Sequence, residues 1–550
     1  MKLNNLLYIS LFLPFISSCS LDKEPYGLTG LWDTQGNAQK GLDACYQPFY
    51  EEDGFGRGQW WAGVFSDDML INREKQEITN MAKFTTMVNT SGNMYDNWQF
   101  MYRIIRRAND VLANVPNIDM PESDKNIMLG EANFLCAYSY FYLAKRFGGL
   151  PFLDANRPDG FEQEVYNKPR ETKEKTYENI ENYLLKAINC FTHTDKGELW
   201  ERDAKDWGRP NLGAAYGLLA KVYAHWGTGL KGIDDTKAKE MMGKCKDAAY
   251  KVIESGRYQL DTTTDENHTS GFDHLFSLDG EKSSEVLFNL TNTEVRHKGS
   301  ITSTVLMSEK LTDGKGWYYF APTKSLDDAF ETGDLRRKTT LVTTGDHVEY
   351  IGKKYYLTDK PDEVSEGELH EGEIIGNISD MTTGFMCVKY SNAYKKLTAW
   401  QWESGADVPL LRYADVLLIY VEALMYEKGF DGANKEATTQ DANILQYYNE
   451  VHMRAFGNKE EAKKSSISFM DLVKERRCEL AYEDERHYDL VRWGLAKEVY
   501  GNKTTDPYGG RTFDPEKNNH LPLPQTEIEN SNGVLINNPA DGYSNFKSIK

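Results

Sequence analysis

The segment Gly130–Leu153, GEANFLCAYSYFYLAKRFGGLPFL, constrains the fold more than any other stretch of this 550-residue chain. Ala132, Leu135, Cys136, Tyr138, Phe141, Leu143 and Ala144 recur at helical spacing, which predicts a helix with a wide apolar stripe. Small residues (Ala132, Cys136, Ala137, Ala144) let a neighbouring helix approach, and the aromatics between them fill the space around that contact. Gly148-Gly149 stops the helix, and Pro151 prevents it from restarting. Upstream, the pattern from Asn97 to Asn114 predicts a second helix that ends before Pro116. A short polar turn with Pro121, Glu122 and Ser123 joins the two. The product is an antiparallel helical hairpin, the unit from which helical-repeat scaffolds are stacked.

The same periodicity returns along the chain. Asn37 to Tyr50 predicts an aromatic-ended helix, and Glu51 to Lys75 a loop dense in Gly and Trp. Helical stripes follow at 169–191, 211–226 and 238–255, the last closed by Gly256. From Tyr258 to about Asp407 the pattern dissolves into short β-like runs (285–290, 347–357, 385–390) among Gly, Asp and Thr turns. Helix resumes at 409–426, where Arg412, Asp415 and Glu422 share one polar stripe on an otherwise apolar segment. Residues 441–455 pair with it, 469–499 predict a last long helix, and 518–540 an extended tail containing LPLPQTEI. The expected fold class is therefore all-α dominated: a tetratricopeptide-like helical-repeat scaffold with a large loop-rich insertion carrying short β hairpins. The expected boundaries are a single domain over 37–550, with scaffold at about 37–257 and 408–500, insertion at about 258–407, and tail at 501–550.

A formal net charge of −20 argues against a nucleic-acid partner. Seven cysteines stand at 19, 45, 136, 190, 245, 387 and 478, none spaced as CxxC, so a zinc or iron–sulfur site has no support, and no cofactor is expected. Cys136 and Cys478, inside helical patterns, are expected to be small buried hydrophobes. The amino terminus, MKLNNLLYISLFLPFISSC, carries one Lys, an apolar run from Leu6 to Ile16 too short to span a bilayer, and then Cys19. It resembles a lipobox: residues 1–18 would be a signal peptide, Cys19 the lipidated first residue, and 19–36 a tether. Asp22 and Glu24 just beyond it resemble a surface-export signal of Bacteroidota lipoproteins.

Seven blocks in order, RIIRRANDVL, GEANFLCAYSYFYLAKRFGGLPFL, GRPNLGAAYGLLAKVYAH, SSEVLFNL, LLRYADVLLIYVEAL, ERRCELAYEDERHYDLVRWG and LPLPQTEI, resemble the signature blocks of the SusD/RagB family. These are nutrient-binding outer-membrane lipoproteins. The resemblance spans nearly the whole chain. It implies a tetratricopeptide-like fold, a cell-surface location, a SusC-type TonB-dependent transporter barrel as partner, and binding without catalysis.

Glu475, Glu479 and Glu483 stand four apart with Arg476, Arg486 and Arg492 among and beyond them. Paired carboxylates could serve glycoside hydrolysis, but arginines this close hold carboxylates ionised, whereas a general acid needs a raised pKa. A structural ion-pair net is the expectation. There is no GxSxG, Walker loop or HExxH.

Sugars present apolar C–H faces, so their sites pair exposed aromatics with hydrogen-bonding side chains. Two loops have that composition: Trp60-Trp61 with Asp67, Asp68, Asn72 and Arg73, and Gly316 to Phe320 within the insertion. Trp317, Tyr318, Trp61, Asp67, Asp68, Arg73 and Tyr394 are the candidate glycan-binding residues, Trp317 first among them. The reading is an oligosaccharide-capturing surface lipoprotein. Its alternatives are a peptide-capturing member of the same fold, a surface glycoside hydrolase, and a helical-repeat interaction protein.

Overall fold

The computed structural model describes residues 32–537, apart from 154–167, 294–299, 391–403 and positions 74, 87, 313, 315 and 351–352. The leader, Cys19 and Tyr394 lie outside the described residues.

Helix α1 (Gln35–Asp43) is capped by Thr34 and gives way to a short 3-10 turn, so the single helix expected at 37–50 is two pieces. The predicted hairpin is α2 (Gly92–Asn114) and α3 (Glu122–Phe147). Gly148, at φ 78°, ends α3 in a backbone conformation that favours glycine. There follow α4 (Lys173–Thr192), α5 (Leu212–Leu230) and α6 (Asp235–Glu254), whose N-termini are capped by Thr172, Asn211 and Asp234. Each side chain accepts a backbone N–H that the helix itself leaves unpaired.

Every helix from α2 to α6 packs on its successor, and α6 packs on α7 (Tyr413–Glu427), which packs on α8 (Ala442–Ala455). The insertion between α6 and α7 thus leaves the helical stack continuous. Close approach rests on small residues: a Cβ on Gly130 would stand 2.6 Å from the Phe191 ring on α4, and one on Gly227 2.9 Å from Met242 on α6.

Two local expectations need correction. Residues 408–412 are not helical: they form strand β9 (Val408–Arg412), antiparallel to β2 (Val286–Leu290). The run 469–499 is not one helix but three, α9 (Phe469–Glu479), α10 (Arg486–Arg492) and α11 (Ala496–Gly501). The break falls where Tyr482 and Asp484 adopt φ of 62° and 63°. That turn folds the acidic segment back on itself and lets its carboxylates reach partners from several elements.

The insertion is not laid passively over the scaffold. Its β2 residues, including Phe288, belong to the main core, where Phe288 packs edge-on to Phe134 and Tyr138 of α3. Farther out it builds a second small core from Met307, Leu311, Tyr318, Val342, Leu357 and Met386. Strands β4 (Leu341–Thr343) and β8 (Phe385–Cys387) pair antiparallel there. The tail docks rather than trailing free, for Gln525 N–H donates to Asn89 O at 2.8 Å and Leu521 N–H to Arg146 O at 2.6 Å. Among the described residues no helix is long and apolar enough to cross a membrane.

Candidate functional site: an aromatic ledge beside a buried ion-pair net

The two aromatic loops that the sequence presents 250 residues apart are brought side by side by a two-stranded ladder. Strand β1 (Met69–Ile71) pairs antiparallel with β3 (Phe320–Pro322), Leu70 opposite Ala321, and Asn72 N–H extends the ladder to Tyr319 O at 2.8 Å. The preceding residues are pinned from the other side, where the N–H groups of Trp317 and Tyr319 donate to Thr304 O and Val305 O at 2.8 and 2.9 Å.

Trp317 and Tyr319 are both half-buried, with ring centroids 6.0 Å apart and planes at 70°, on either side of Tyr318, whose φ of 44° interrupts the extended run. Tyr318 points inward: it is 1% exposed, and its hydroxyl donates to Phe385 O at 2.6 Å. The expectation that Tyr318 is displayed to ligand is therefore corrected.

Polar groups frame the ledge. The exposed Arg73 donates Nε to Trp317 O at 2.8 Å and lies 5.6 Å from the Tyr319 ring centroid. Arg57 approaches the same ring at 5.5 Å and pairs with Glu52 at 3.0 Å. Thr382 Oγ1 donates to Asn72 Oδ1 at 2.6 Å, placing an amide and a hydroxyl at the edge. Tyr319, Arg57 and Thr382 were not singled out in the sequence.

Trp61, expected as a second platform, is 0% exposed. It stands edge-on to Phe320 at 5.0 Å and to Tyr319 at 5.8 Å, supporting the ledge from beneath. Asp67 and Asp68 are likewise unavailable to a sugar hydroxyl. Both are buried, Asp67 paired to Arg486 at 2.9 Å and Arg477 at 3.0 Å, Asp68 to Arg477 at 2.7 Å. Burial alone would raise the Asp67 pKa, but the two guanidiniums more than offset it and hold the carboxyl well below the usual range. These two acids fasten the loop to α9 and α10.

The charged α9 segment forms an ion-pair net. Glu479 accepts from Arg336, Arg412 and Arg454 at 3.0, 2.9 and 2.6 Å, and Glu475 from Arg336 and His452 at 2.5 and 2.7 Å. Glu483 binds Arg412 and Lys389, and Glu285 of the insertion binds Arg412 and Arg454. Burial raises the Glu479 pKa, and the three surrounding arginines reverse that, holding it well below a normal glutamate. A carboxylate so held cannot donate the proton that a glycosidic leaving group requires. The stripe on α7 is spent the same way, Asp415 on Lys221 and Arg476, Glu422 on Arg492.

Comparison with known proteins agrees with this architecture. A sequence model described as the SusD family matches residues 284–543, and one described as starch-binding associating with outer membrane matches residues 21–224. The SusD-like protein P2 of Formosa agariphila is 25% identical over 569 residues, covering 99% of this chain and 100% of that one. The starch-binding protein SusD of Bacteroides thetaiotaomicron is 23% identical, covering 75% of this chain and 72% of its own. Among solved structures, surface glycan-binding protein A from Bacteroides thetaiotaomicron in complex with laminarihexaose superposes with a TM-score of 0.69 at 20% identity. The match covers 92% of this chain and 99% of that one. A laminarin-binding SusD-like protein gives 0.68 at 21%, over 92% and 100%. At these identities the superpositions show a shared fold.

Proposed function

The chain belongs to the SusD family, and on that premise we propose that it is a cell-surface lipoprotein that captures oligosaccharide without cleaving it. In this reading the ligand is passed to a SusC-type TonB-dependent barrel in the outer membrane. The observation that carries the ligand class is the Trp317–Tyr319 ledge, two half-buried rings pinned by backbone pairing and edged by Arg73, Arg57, Asn72 and Thr382. A sugar ring laid on the indole buries its apolar C–H face, while its equatorial hydroxyls reach the guanidinium and amide groups at the rim. The relatives support this ligand class, since one is a starch-binding protein and one solved neighbour holds laminarihexaose. The association with the outer membrane is supported by the description of the matching family model. Lipidation at Cys19 would hold the chain at that membrane through its tether, since firm anchoring takes two or more acyl chains.

The absence of catalysis follows in this reading from Glu475, Glu479 and Glu483, each committed to arginine or lysine. A glycan array probed with wild type and Trp317→Ala tests the proposal. Wild type is expected to retain a defined set of oligosaccharides that the variant loses. Equal retention by both would remove the ledge as the site, and hydrolysis of a retained glycan would overturn the non-catalytic reading.

A further inference from the structure

On the helical scaffold, away from the ledge and sharing none of its residues, α3, α4, α5 and α10 line a partly open cavity of about 260 Å3, far more than one ordered water needs. Its wall carries four cations: Lys145 of α3, Lys173 in the first turn of α4, Lys231 just past α5 and Arg492 of α10. The imidazoles of His225 and His520 complete it. Among the described residues no aspartate or glutamate lines it, although the chain as a whole has a formal charge of −20.

Carboxylates outside the lining pair with Lys145, Arg492 and Lys231. Glu485 accepts from Lys145 at 3.0 Å, Asp489 from Arg492 at 2.8 Å, and Asp431 pairs with Lys231. They fix the cations in place, and carboxylate oxygens of Glu485 and Asp489 stand within 4.8 Å of a ring nitrogen of His225. Burial pushes the Lys173 ammonium down to about 8, a cost that a negative guest would relieve.

Four lining atoms are buried with no hydrogen-bond partner, Nε2 of His225, the hydroxyl of Tyr488 and both ring nitrogens of His520, on side chains only 6%, 5% and 8% exposed. Burial, reinforced by Arg492, Lys145 and Lys221, holds His225 well below its ordinary pKa, so the ring is neutral. A hydroxyl and two imidazoles left unsatisfied beside four cations form a recess built for oxygen acceptors.

We propose that this cavity binds a small molecule bearing an oxyanion, a carboxylate or a sulfate group. The inference concerns a place separate from the ledge and holds whether or not Trp317 stacks on sugar. Calorimetric titrations with sodium glucuronate, sodium sulfate, glucose and sodium chloride at matched ionic strength test it, since sulfate also stabilises proteins without binding a site. Saturable binding of glucuronate or sulfate, with no heat from glucose or chloride, is the expected result. Glucuronate alone identifies an anionic sugar, and both together identify a free oxyanion.

Lys173→Gln and His225→Gln are expected to weaken binding at least tenfold. Lys173→Arg retains it, and Trp317→Ala leaves it unchanged. Thermal melts of each variant establish that it is folded. The proposal is overturned if neither anion saturates, if glucose binds equally well, or if both cavity variants bind as wild type does. It is also overturned if Trp317→Ala alone abolishes binding, which would place the anion on the ledge.

Discussion

Arg412 and Glu479 meet at 2.9 Å with no part of either side chain exposed. One ends strand β9 and the other ends α9, and Glu285 of the insertion binds the same guanidinium at 2.6 Å. Insertion, strand and carboxy-terminal helix are thus tied at one point in a low-dielectric interior. A buried pair contributes little net stability over an apolar replacement, but removing one member leaves its partners charged and unpaired. Glu479→Gln takes one carboxylate from three arginines at once, leaving Arg336 to Asp334 and Glu475, Arg412 to Glu285 and Glu483, and Arg454 to Glu285 alone. Chemical denaturation is expected to show a loss of about 3–5 kcal/mol, and a change below about 1 kcal/mol would mean that the net is not a determinant of folding.

Acid should unfold the protein through the same groups. Burial raises the carboxyl pKa values of Glu475, Glu479, Asp415 and Asp67, and neighbouring arginines or Lys221 more than reverse this, so all four lie below normal when folded. For such groups the folded pKa is below the unfolded value. Their contribution is complete above the unfolded carboxylate range of roughly 4 and is lost as pH falls through the folded values. Melting temperature is therefore expected to drop steeply below about pH 4.5. A protein equally stable at pH 3 and pH 7 would contradict this.

The two tryptophans of the paired loops should separate cleanly on mutation. Trp317 is half-buried and its loop is held by backbone pairing, so Trp317→Ala is expected to leave the melting temperature nearly unchanged while glycan affinity falls at least about tenfold, or 1.4 kcal/mol. Trp61 is fully enclosed against Tyr319 and Phe320. Its replacement by Ala opens a cavity and should cost about 3–5 kcal/mol. Denaturation curves run beside binding isotherms distinguish the two, and equal destabilisation by both substitutions would count against the ledge as a displayed surface.

Much of the scaffold was legible because helices announce themselves locally. The Ala132–Ala144 stripe, the stop at Gly148 and the caps at Thr172 and Asn211 act within one or two turns of the residues that encode them. The site was legible only in part, because display is a tertiary property. Trp61 and Trp317 have similar aromatic neighbours in sequence, and only the β1–β3 pairing decides which one is covered. The strand at Val408–Arg412 was missed since a short apolar run fits helix or strand equally well. The ion pairs were expected on α9, but the partners of Glu475 and Glu479 are Arg336, Arg412 and Arg454, from β9, α8 and the insertion, which no spacing rule connects.

Glu527, in the LPLPQTEI block, is poised with the opposite sign. It sits in a short helix of the docked tail, 3% exposed. Burial raises its carboxyl to about 7 despite hydrogen bonds from Trp98 and Tyr95 that favour the charged form. Here the folded pKa exceeds the unfolded one, so the folded state holds the proton longer. Stability then falls as pH rises from roughly 4.5 to 7 and stays reduced above that range. Glu527→Gln keeps an acceptor for Trp98 and Tyr95 and carries no charge. It is expected to stabilise the protein by about 1–2 kcal/mol at pH 8, with no gain at pH 4.5, where the native carboxyl is already protonated. Urea denaturation of wild type and variant at the two pH values gives the comparison. A gain of the same size at both would show that the effect comes from packing of the amide and not from the buried charge.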